Sequence, residues 1–255
     1  MSQFFTSTSA YDRFMGRFSA PLGPLFADFA GVNDEGTALD VGCGPGALTA
    51  ELVARLGATN VAAIDPSEAF VAATRERNAG VDVHRASAER IPFDDDTFDF
   101  ALAQLVVHFM ADPAAGLREM ARVARAGGVV GACVWDHHGG TSPLSAFWDA
   151  VEEYDGAAET QADRAGTREG HLGELFRQAG LTDVRESSLS VETEFGSFDE
   201  WWEPFELGVG PAGAYVATLD DAGRAELRAV CRTRMPDAPF TIACRAWAAR
   251  AFTPA

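Results

Sequence analysis

The sequence predicts an α/β fold: a doubly wound, mainly parallel sheet with helices on both faces. Three observations predict it. First, β-rich runs alternate with helical runs from Thr37 to Val134, and such alternation implies parallel strands joined by right-handed helical crossovers. Second, the first β-rich run ends in three alternate glycines, Gly42, Gly44 and Gly46, ahead of a helical run. Glycines at that junction permit positive φ and close approach of the backbone to a ligand. Third, 255 residues with a 47% apolar fraction suit one large domain, or one domain with a lid.

Each element follows from local signals. Thr37 to Val41 is a short strand. Ala47 to Leu56 is a helix, because Leu48, Leu52 and Leu56 fall on one face, and Gly57 stops it. Asn60 to Ile64 reads as a buried strand. Ser67 is the expected N-cap of a helix from Glu68 to Asn78. Val81 to Arg85 and Phe98 to Ala103 are the third and fourth strands. Pro113 to Ala124 is a helix entered through proline. Gly127 and Gly128 turn the chain into a fifth strand, Val129 to Val134. Sheets of this kind bind ligands beyond the carboxyl ends of their strands. Functional residues are therefore expected just after Val41, Ile64, Arg85, Ala103 and Val134.

Further along, Pro143 to Glu153 is helical, and Asp155 to Gly170 is a polar loop expected to be mobile. Leu172 to Ala179 is a helix closed by Gly180, and Thr182 to Phe195 alternates like a strand. Phe198 to Met235 is an aromatic helical segment, and Phe240 to Ala249 is the last strand. The expected division is an N-terminal helical cap over 1–36 and a main domain over 37–255. Residues 142–235 are expected to contain a lid or substrate insertion.

Charge narrows the partners. The chain has 20 basic and 38 acidic residues, a formal net charge of −18, and every basic residue is Arg. Nucleic-acid binding needs a basic footprint, so DNA, RNA and anionic membranes are disfavoured. No stretch approaches the ~20 apolar residues of a membrane span. The cysteines Cys43, Cys133, Cys231 and Cys244 are too dispersed for a zinc pattern. No metal is expected, and a reducing cytoplasm is the simplest compartment. The oligomeric state is not legible.

The segment Leu39-Asp40-Val41-Gly42-Cys43-Gly44-Pro45-Gly46 carries most of the functional information. Dinucleotide enzymes use GxGxxG to seat a pyrophosphate on the helix N-terminus. Here the spacing is GxGxG, and Asp40 stands directly before it. A carboxylate there opposes a pyrophosphate but suits a cationic amino-acid ligand. S-adenosylmethionine carries an ammonium and a sulfonium, so the acidic version favours it. Asp65 ends the second strand about 20 residues on, where an acid grips ribose hydroxyls in nucleotide-binding α/β folds.

With these residues in place, the sequence resembles the class I S-adenosylmethionine-dependent methyltransferases of the ubiquinone/menaquinone-biosynthesis type. The motifs are Leu39 to Gly46, Ala63-Ile64-Asp65-Pro66-Ser67, Glu89-Arg90-Ile91-Pro92-Phe93 and Arg118-Glu119-Met120-Ala121-Arg122-Val123, in family order and spacing. The resemblance covers Tyr11 to Val134 and beyond that only the order of elements. It implies a Rossmann-like methyltransferase fold with a seven-stranded sheet whose last strand is antiparallel. It also implies roles. Asp40, Gly42, Gly44 and Gly46 surround the methionine part of the cofactor. Asp65 holds the ribose, with Pro66 and Ser67 near adenine. Ser87, Ala88 and Glu89 follow the third strand, and Ser87 stands where the family usually has Asp. Gln104 and Leu105 line the sulfonium side. The N-terminal run from Tyr11 to Phe18 also resembles a cofactor cap, in which Tyr11 or Arg17 meets the methionine carboxylate.

Other residues weigh against blander readings. His108 follows the fourth strand and His137 and His138 the fifth, where a general base can stand; a packed or solvated imidazole is at least as ordinary. His84 and His171 take the bland reading. The acidic run Asp94-Asp95-Asp96 reads as a solvated turn. Trp135, Trp201, Trp202 and Phe205 are candidate walls of an acceptor pocket, with core packing as the alternative. The expected reaction is methyl transfer to an O, N or C nucleophile of a small, partly apolar molecule. The rivals are a cofactor-binding regulator without turnover and a nicotinamide-dependent oxidoreductase, whose third glycine would fall at Ala47.

Overall fold

The computed structural model describes residues 8–156, 161–236 and 239–254. Residues 1–7 of the expected cap and 157–160 of the expected mobile loop lie outside the described residues. The chain opens with α1 (Thr8–Tyr11), a π-helical stretch (Asp12–Gly16) and α2 (Arg17–Ala30). Phe18, Leu22 and Phe26 form the buried stripe of α2, four residues apart as one helical face requires. Gly31, at φ 81°, ends the helix with its N–H bonded to the carbonyls of Ala27 and Asp28.

The alternating core follows: β1 (Ala38–Val41), α3 (Ala47–Leu56), β2 (Val61–Asp65), α4 (Glu68–Arg77), β3 (Asp82–Arg85), β4 (Phe98–Gln104), α5 (Pro113–Val123) and β5 (Ala124–Trp135). These lie within a few residues of the expected spans, with one informative exception. The fifth strand starts at Ala124, ahead of the glycines expected to turn the chain. Gly127 takes φ 72°, and pairing with β4 jumps from Phe98↔Ala124 to Phe100↔Val129. The glycines form a bulge inside the strand, because extra residues on one side of a ladder are absorbed where positive φ is cheap.

The remainder is α6 (Ser145–Tyr154), α7 (His171–Gln178), β6 (Arg185–Phe195), α8 (Phe198–Trp202), a 3₁₀ turn (Glu203–Leu207), α9 (Gly210–Thr218), α10 (Asp221–Arg234) and β7 (Phe240–Phe252). The seven strands form one sheet in the order β3-β2-β1-β4-β5-β7-β6. Neighbours from β3 to β5 are parallel, and β7 runs antiparallel to both β5 and β6.

Alternation along the strands divides the core in two. Leu102, Cys133 and Trp135 face α2, α3 and the aromatic helices, in one cluster with Leu22, Phe26, Leu52, Phe147 and Trp202. Ala103, Ala132 and Val134 face α5 and α7, clustering with Leu117, Met120 and Phe176. The span 142–235 is therefore not one insertion. Its middle, α7 and β6, belongs to the sheet and its flank. Within that span α6 packs on α10, outside the sheet.

Candidate functional site

The carboxyl end of the sheet brings the expected residues together, beginning with the glycine loop. The N–H groups of Gly42 and Cys43 both bond the carbonyl of Ile64 at the end of β2, at 2.8 and 2.9 Å. Gly42, Gly44 and Gly46 all take positive φ, at 74°, 53° and 95°. Two of these glycines are needed for packing. A Cβ on Gly42 would lie 2.5 Å from Val106 Cγ1, and one on Gly46 2.6 Å from Asn78 Nδ2. A Cβ on Gly44 would meet nothing within 4 Å. Gly44 thus leaves an open cradle above β1, on the side where a ligand of this loop would lie.

Two buried carboxylates frame the cradle. Asp40, 1% exposed on β1, accepts a 2.6 Å bond from Thr49 Oγ1 on α3. Desolvation by burial raises it from its ordinary 3.8 to about 7, the Thr49 bond opposes this, and the Asp65 charge adds to it. Asp65 accepts from Gly44 N–H at 3.0 Å and Ser67 N–H at 2.8 Å. Burial raises it too, against those two bonds. Asp65 therefore clamps the loop to the start of α4. Ser67 occupies the N-cap position of α4, but its hydroxyl makes no capping bond. Thr74 Oγ1 closes the loop from α4 by donating to the Gly44 carbonyl at 2.8 Å. Thr49 and Thr74 were absent from the sequence reading; only their positions, on the inner faces of the two flanking helices, hinted at them.

Several expected cofactor residues are engaged elsewhere. Arg17 does not face the loop. Its guanidinium bonds Glu200 Oε1 and the Glu194 carbonyl, both at 2.6 Å, and lies 4.3 Å from the Phe195 ring centroid. The reason is α8, which brings an acid within reach. Tyr11, by contrast, sits at the cradle, with its ring 5.5 Å from Phe70 on α4. Desolvation, with the Asp65 and Asp12 charges, pushes its phenol up to about 12. Glu89 Oε1 accepts from Ala111 N–H at 2.8 Å and Asp112 N–H at 3.4 Å, so it braces the segment after β4. Ala88 is buried against the α5 side, while Pro66 and Ser87 are exposed.

After β4, Gln104 donates from Nε2 to the Ser19 carbonyl at 3.0 Å, tying the sheet to α2, and its Oε1 is buried without a partner. Leu105 takes φ 63° and bonds the Cys133 carbonyl through its N–H. His108, buried in the following turn, lies 5.7 Å from the ring of His137, beyond β5. Desolvation lowers both imidazoles, His108 well below its ordinary 6.5 and His137 to about 4, so both are neutral at pH 7. His138 is exposed and engages the chain through its backbone N–H to the Thr167 carbonyl. His84 pairs with Asp82, and His171 accepts from Gly166 N–H.

The aromatic residues are buried together. Phe205 stacks on Phe147 at 4.4 Å and meets Phe14 of the N-terminal segment at 5.1 Å. Trp201 and Trp202 lie 4.9 and 5.9 Å from Phe205. They join α6, α8 and the π-helical stretch into one cluster on the α2 face of the sheet, which also contains Trp135. The indole N–H groups of Trp135, Trp148 and Trp202 are buried without partners. No group of three or more His, Cys, Asp or Glu able to hold a metal occurs among the described residues. No helix among them is long and apolar enough to cross a membrane.

A family profile described as a methyltransferase domain matches residues 39–131. An uncharacterized protein of Mycobacterium tuberculosis is 30% identical over 236 residues, covering 86% of this chain and 82% of that protein. A second uncharacterized protein of that species is 32% identical over 123 residues, and the match spans 44% of its length. The chloroplastic 2-methyl-6-phytyl-1,4-hydroquinone methyltransferase 2 of Oryza sativa is 38% identical over 93 residues, 36% of this chain and 27% of that protein. Among solved structures, the YcgJ protein of Bacillus subtilis superposes with TM-score 0.58 at 15% identity, covering 91% of this chain and 98% of that one. A phosphoethanolamine N-methyltransferase of Haemonchus contortus, in complex with S-adenosylhomocysteine, superposes with TM-score 0.59 at 16% identity, covering 100% and 61%.

Proposed function

The chain belongs to the class I S-adenosylmethionine-dependent methyltransferases, and from that premise we propose that it methylates an O, N or C nucleophile of a small, partly apolar molecule. The observation that carries this reading is the open cradle at Gly44, framed by Asp40, Asp65 and Tyr11. Its donor set suits the cofactor: carboxylates face a ligand that carries positive charge, and the one glycine of this loop with free space is where that ligand would lie.

When bound, S-adenosylmethionine supplies an electrophilic methyl group on a sulfonium. The protein's own contribution is placement. Thr49 orients Asp40, and Asp65 holds the loop in the conformation that leaves the cradle open. Val106 packs against Gly42 and so fixes the segment after β4, including Gln104 and Leu105, beside the loop. Holding a nucleophile close to the methyl group supplies several kcal/mol through proximity alone. The neutral His108 and His137 are poised to take a proton from an acceptor O–H or N–H as its bond to carbon forms. The Phe14, Phe147, Trp201, Trp202 and Phe205 ceiling excludes water from that edge and favours a flat or apolar acceptor.

Calorimetry tests the premise of the site. S-adenosylmethionine and S-adenosylhomocysteine are expected to bind the wild-type chain, and Asp40→Asn to weaken the cationic S-adenosylmethionine more than the neutral product. Equal losses for the two ligands would remove Asp40 from the cationic end.

A further inference from the structure

We propose that His108, His137 and Arg164 form a receptor for an anionic oxygen of the acceptor, a carboxylate or a comparably acidic hydroxyl. The proposal rests on the methyltransferase reading above and narrows its substrate class.

His108 and His137 leave the adjacent strands β4 and β5, which are in register through Gln104↔Cys133, and their rings approach to 5.7 Å. The Nδ1 atom of each is buried and has no hydrogen-bond partner. Buried polar atoms in folded proteins are nearly always bonded, so two orphans side by side at the ligand edge point to a partner that arrives from outside. His108 is 7% exposed, and its ring lies over Phe109 at 3.9 Å, which closes one flank of the pair.

Arg164 supplies the charge. Its guanidinium lies 5.7 Å from the Phe109 centroid, and its positive charge contributes to lowering both imidazoles. No carboxylate among the described residues pairs with it. The acid next in sequence to His137 is tied down by hydrogen bonds, since Asp136 accepts from Gly139 N–H at 2.8 Å and Thr141 Oγ1 at 2.7 Å, although its charge still acts on His137 against that of Arg164. The loop that carries Arg164 is held in place. Thr167 Oγ1 bonds the carbonyls of Ala162 and Arg164, and the Thr167 carbonyl accepts from His138 N–H. That last bond couples the Arg164 loop to the histidine segment.

A neutral imidazole offers one N–H donor and one acceptor, so the histidine pair alone would accept many polar groups. The exposed guanidinium, which has no carboxylate partner among the described residues, is what selects among them. In a chain of net charge −18, a guanidinium with no carboxylate partner among the described residues, beside a buried and a half-buried imidazole, favours a ligand that brings negative charge, and hydrogen bonds to charged oxygen are the strong ones.

The test uses the full chain saturated with S-adenosylhomocysteine and two matched probes, benzoate and benzamide. Benzoate is expected to bind about tenfold or more tighter than benzamide. Arg164→Gln should bring the two to parity, and Arg164→Lys should keep part of the difference. In proton–carbon NMR, the Cε1–H signals of His108 and His137 should titrate at higher pH with benzoate bound. Parity of the probes in the wild-type chain, failure of benzoate to bind, or a preference that survives Arg164→Gln would overturn the proposal. Failure of S-adenosylhomocysteine to bind would overturn the methyltransferase reading and this proposal with it; intact binding without a benzoate preference overturns this proposal alone.

Discussion

Around the carboxyl ends of β1 and β2, the polar groups of the loop answer one another. Asp65 takes the N–H groups of Gly44 and Ser67, Thr74 takes the Gly44 carbonyl, and Thr49 takes Asp40. Around β4, β5 and the helices α6 and α8 the opposite holds: Gln104 Oε1, the Nδ1 atoms of His108 and His137, and the indoles of Trp135, Trp148 and Trp202 are buried unanswered. The first region is complete without a ligand, as suits a cofactor bound in one way by a whole family. The second is incomplete, which is what the proposed acceptor site would require. A buried group left without a partner costs on the order of 1–3 kcal/mol, so a ligand that met these groups would gain from each bond it supplied.

Substitutions in the loop strike the completed half hardest. Gly42→Ala combines left-handed strain of ~1–2 kcal/mol with overpacking against Val106 of ~1–3 kcal/mol. It should lower the melting temperature sharply and abolish cofactor binding. Gly44→Ala carries only the strain, so it should melt within about 1–2 kcal/mol of wild type yet lose cofactor affinity, because its methyl group enters the cradle. If calorimetry shows Gly44→Ala binding normally, the cradle is not the cofactor site.

Asp65→Ala is expected next in size. Loss of a charged acceptor is worth about 1.5–3 kcal/mol, so cofactor affinity should fall roughly tenfold or more. Because Gly44 and Ser67 also lose their acceptor, thermal stability should fall alongside. Unchanged affinity by calorimetry would remove Asp65 from the site.

A smaller effect is graded by pH. Burial lifts Asp40 from 3.8 to about 7, so the folded apo chain holds more protons than the unfolded chain between those values. Its contribution to apo stability is therefore full below about pH 4 and is lost as pH rises through 7. Cofactor affinity should move the other way, rising between pH 6 and 8 as Asp40 ionises. Asp40→Asn should flatten that rise in a calorimetric pH series, and a rise that persists in the variant would assign it to another group.

The smallest effect separates the halves. Trp202, 1% exposed, is too deeply packed for an alanine variant to be informative, since Trp→Ala in a core costs ~3–5 kcal/mol. Trp202→Phe removes the unpaired N–H and keeps a ring against Phe205. It should leave stability and cofactor affinity near wild type and raise the acceptor KM by up to about tenfold. A loss of cofactor affinity instead would place Trp202 in the completed half.

The same division decided what the sequence disclosed. From Leu39 to Val134, strands and helices alternate under local rules, and Leu48, Leu52 and Leu56 or the glycine loop speak for themselves. The parallel core was legible in those local signals, while the seven strands and the antiparallel last strand were implied only by the family resemblance. Residues whose partners lie far along the chain were not. Arg17 seemed free for a carboxylate until α8 supplied Glu200, 183 residues away. Nothing local showed that Glu89 also braces the segment after β4 by accepting from Ala111 N–H. Gly127 announced a turn and proved to be a bulge, a distinction set by the partner strand. Arg164 sat in a polar stretch with no periodicity to mark it; only the folded loop places it over Phe109.

The position of β7 has a consequence for how this chain is made. Strand β6 bonds only to β7, and β7 lies between β6 and β5, yet it follows both in the chain. During synthesis, β5 and β6 leave the ribosome before the strand that joins them exists. β5 waits with an unpaired edge and β6 waits without a neighbour. Exposed edges of that kind recruit other chains, and long-range pairing is slow to form. A nascent chain halted before Phe240 therefore carries the glycine loop and its strands but presents a sticky margin, which is where chaperones would be needed.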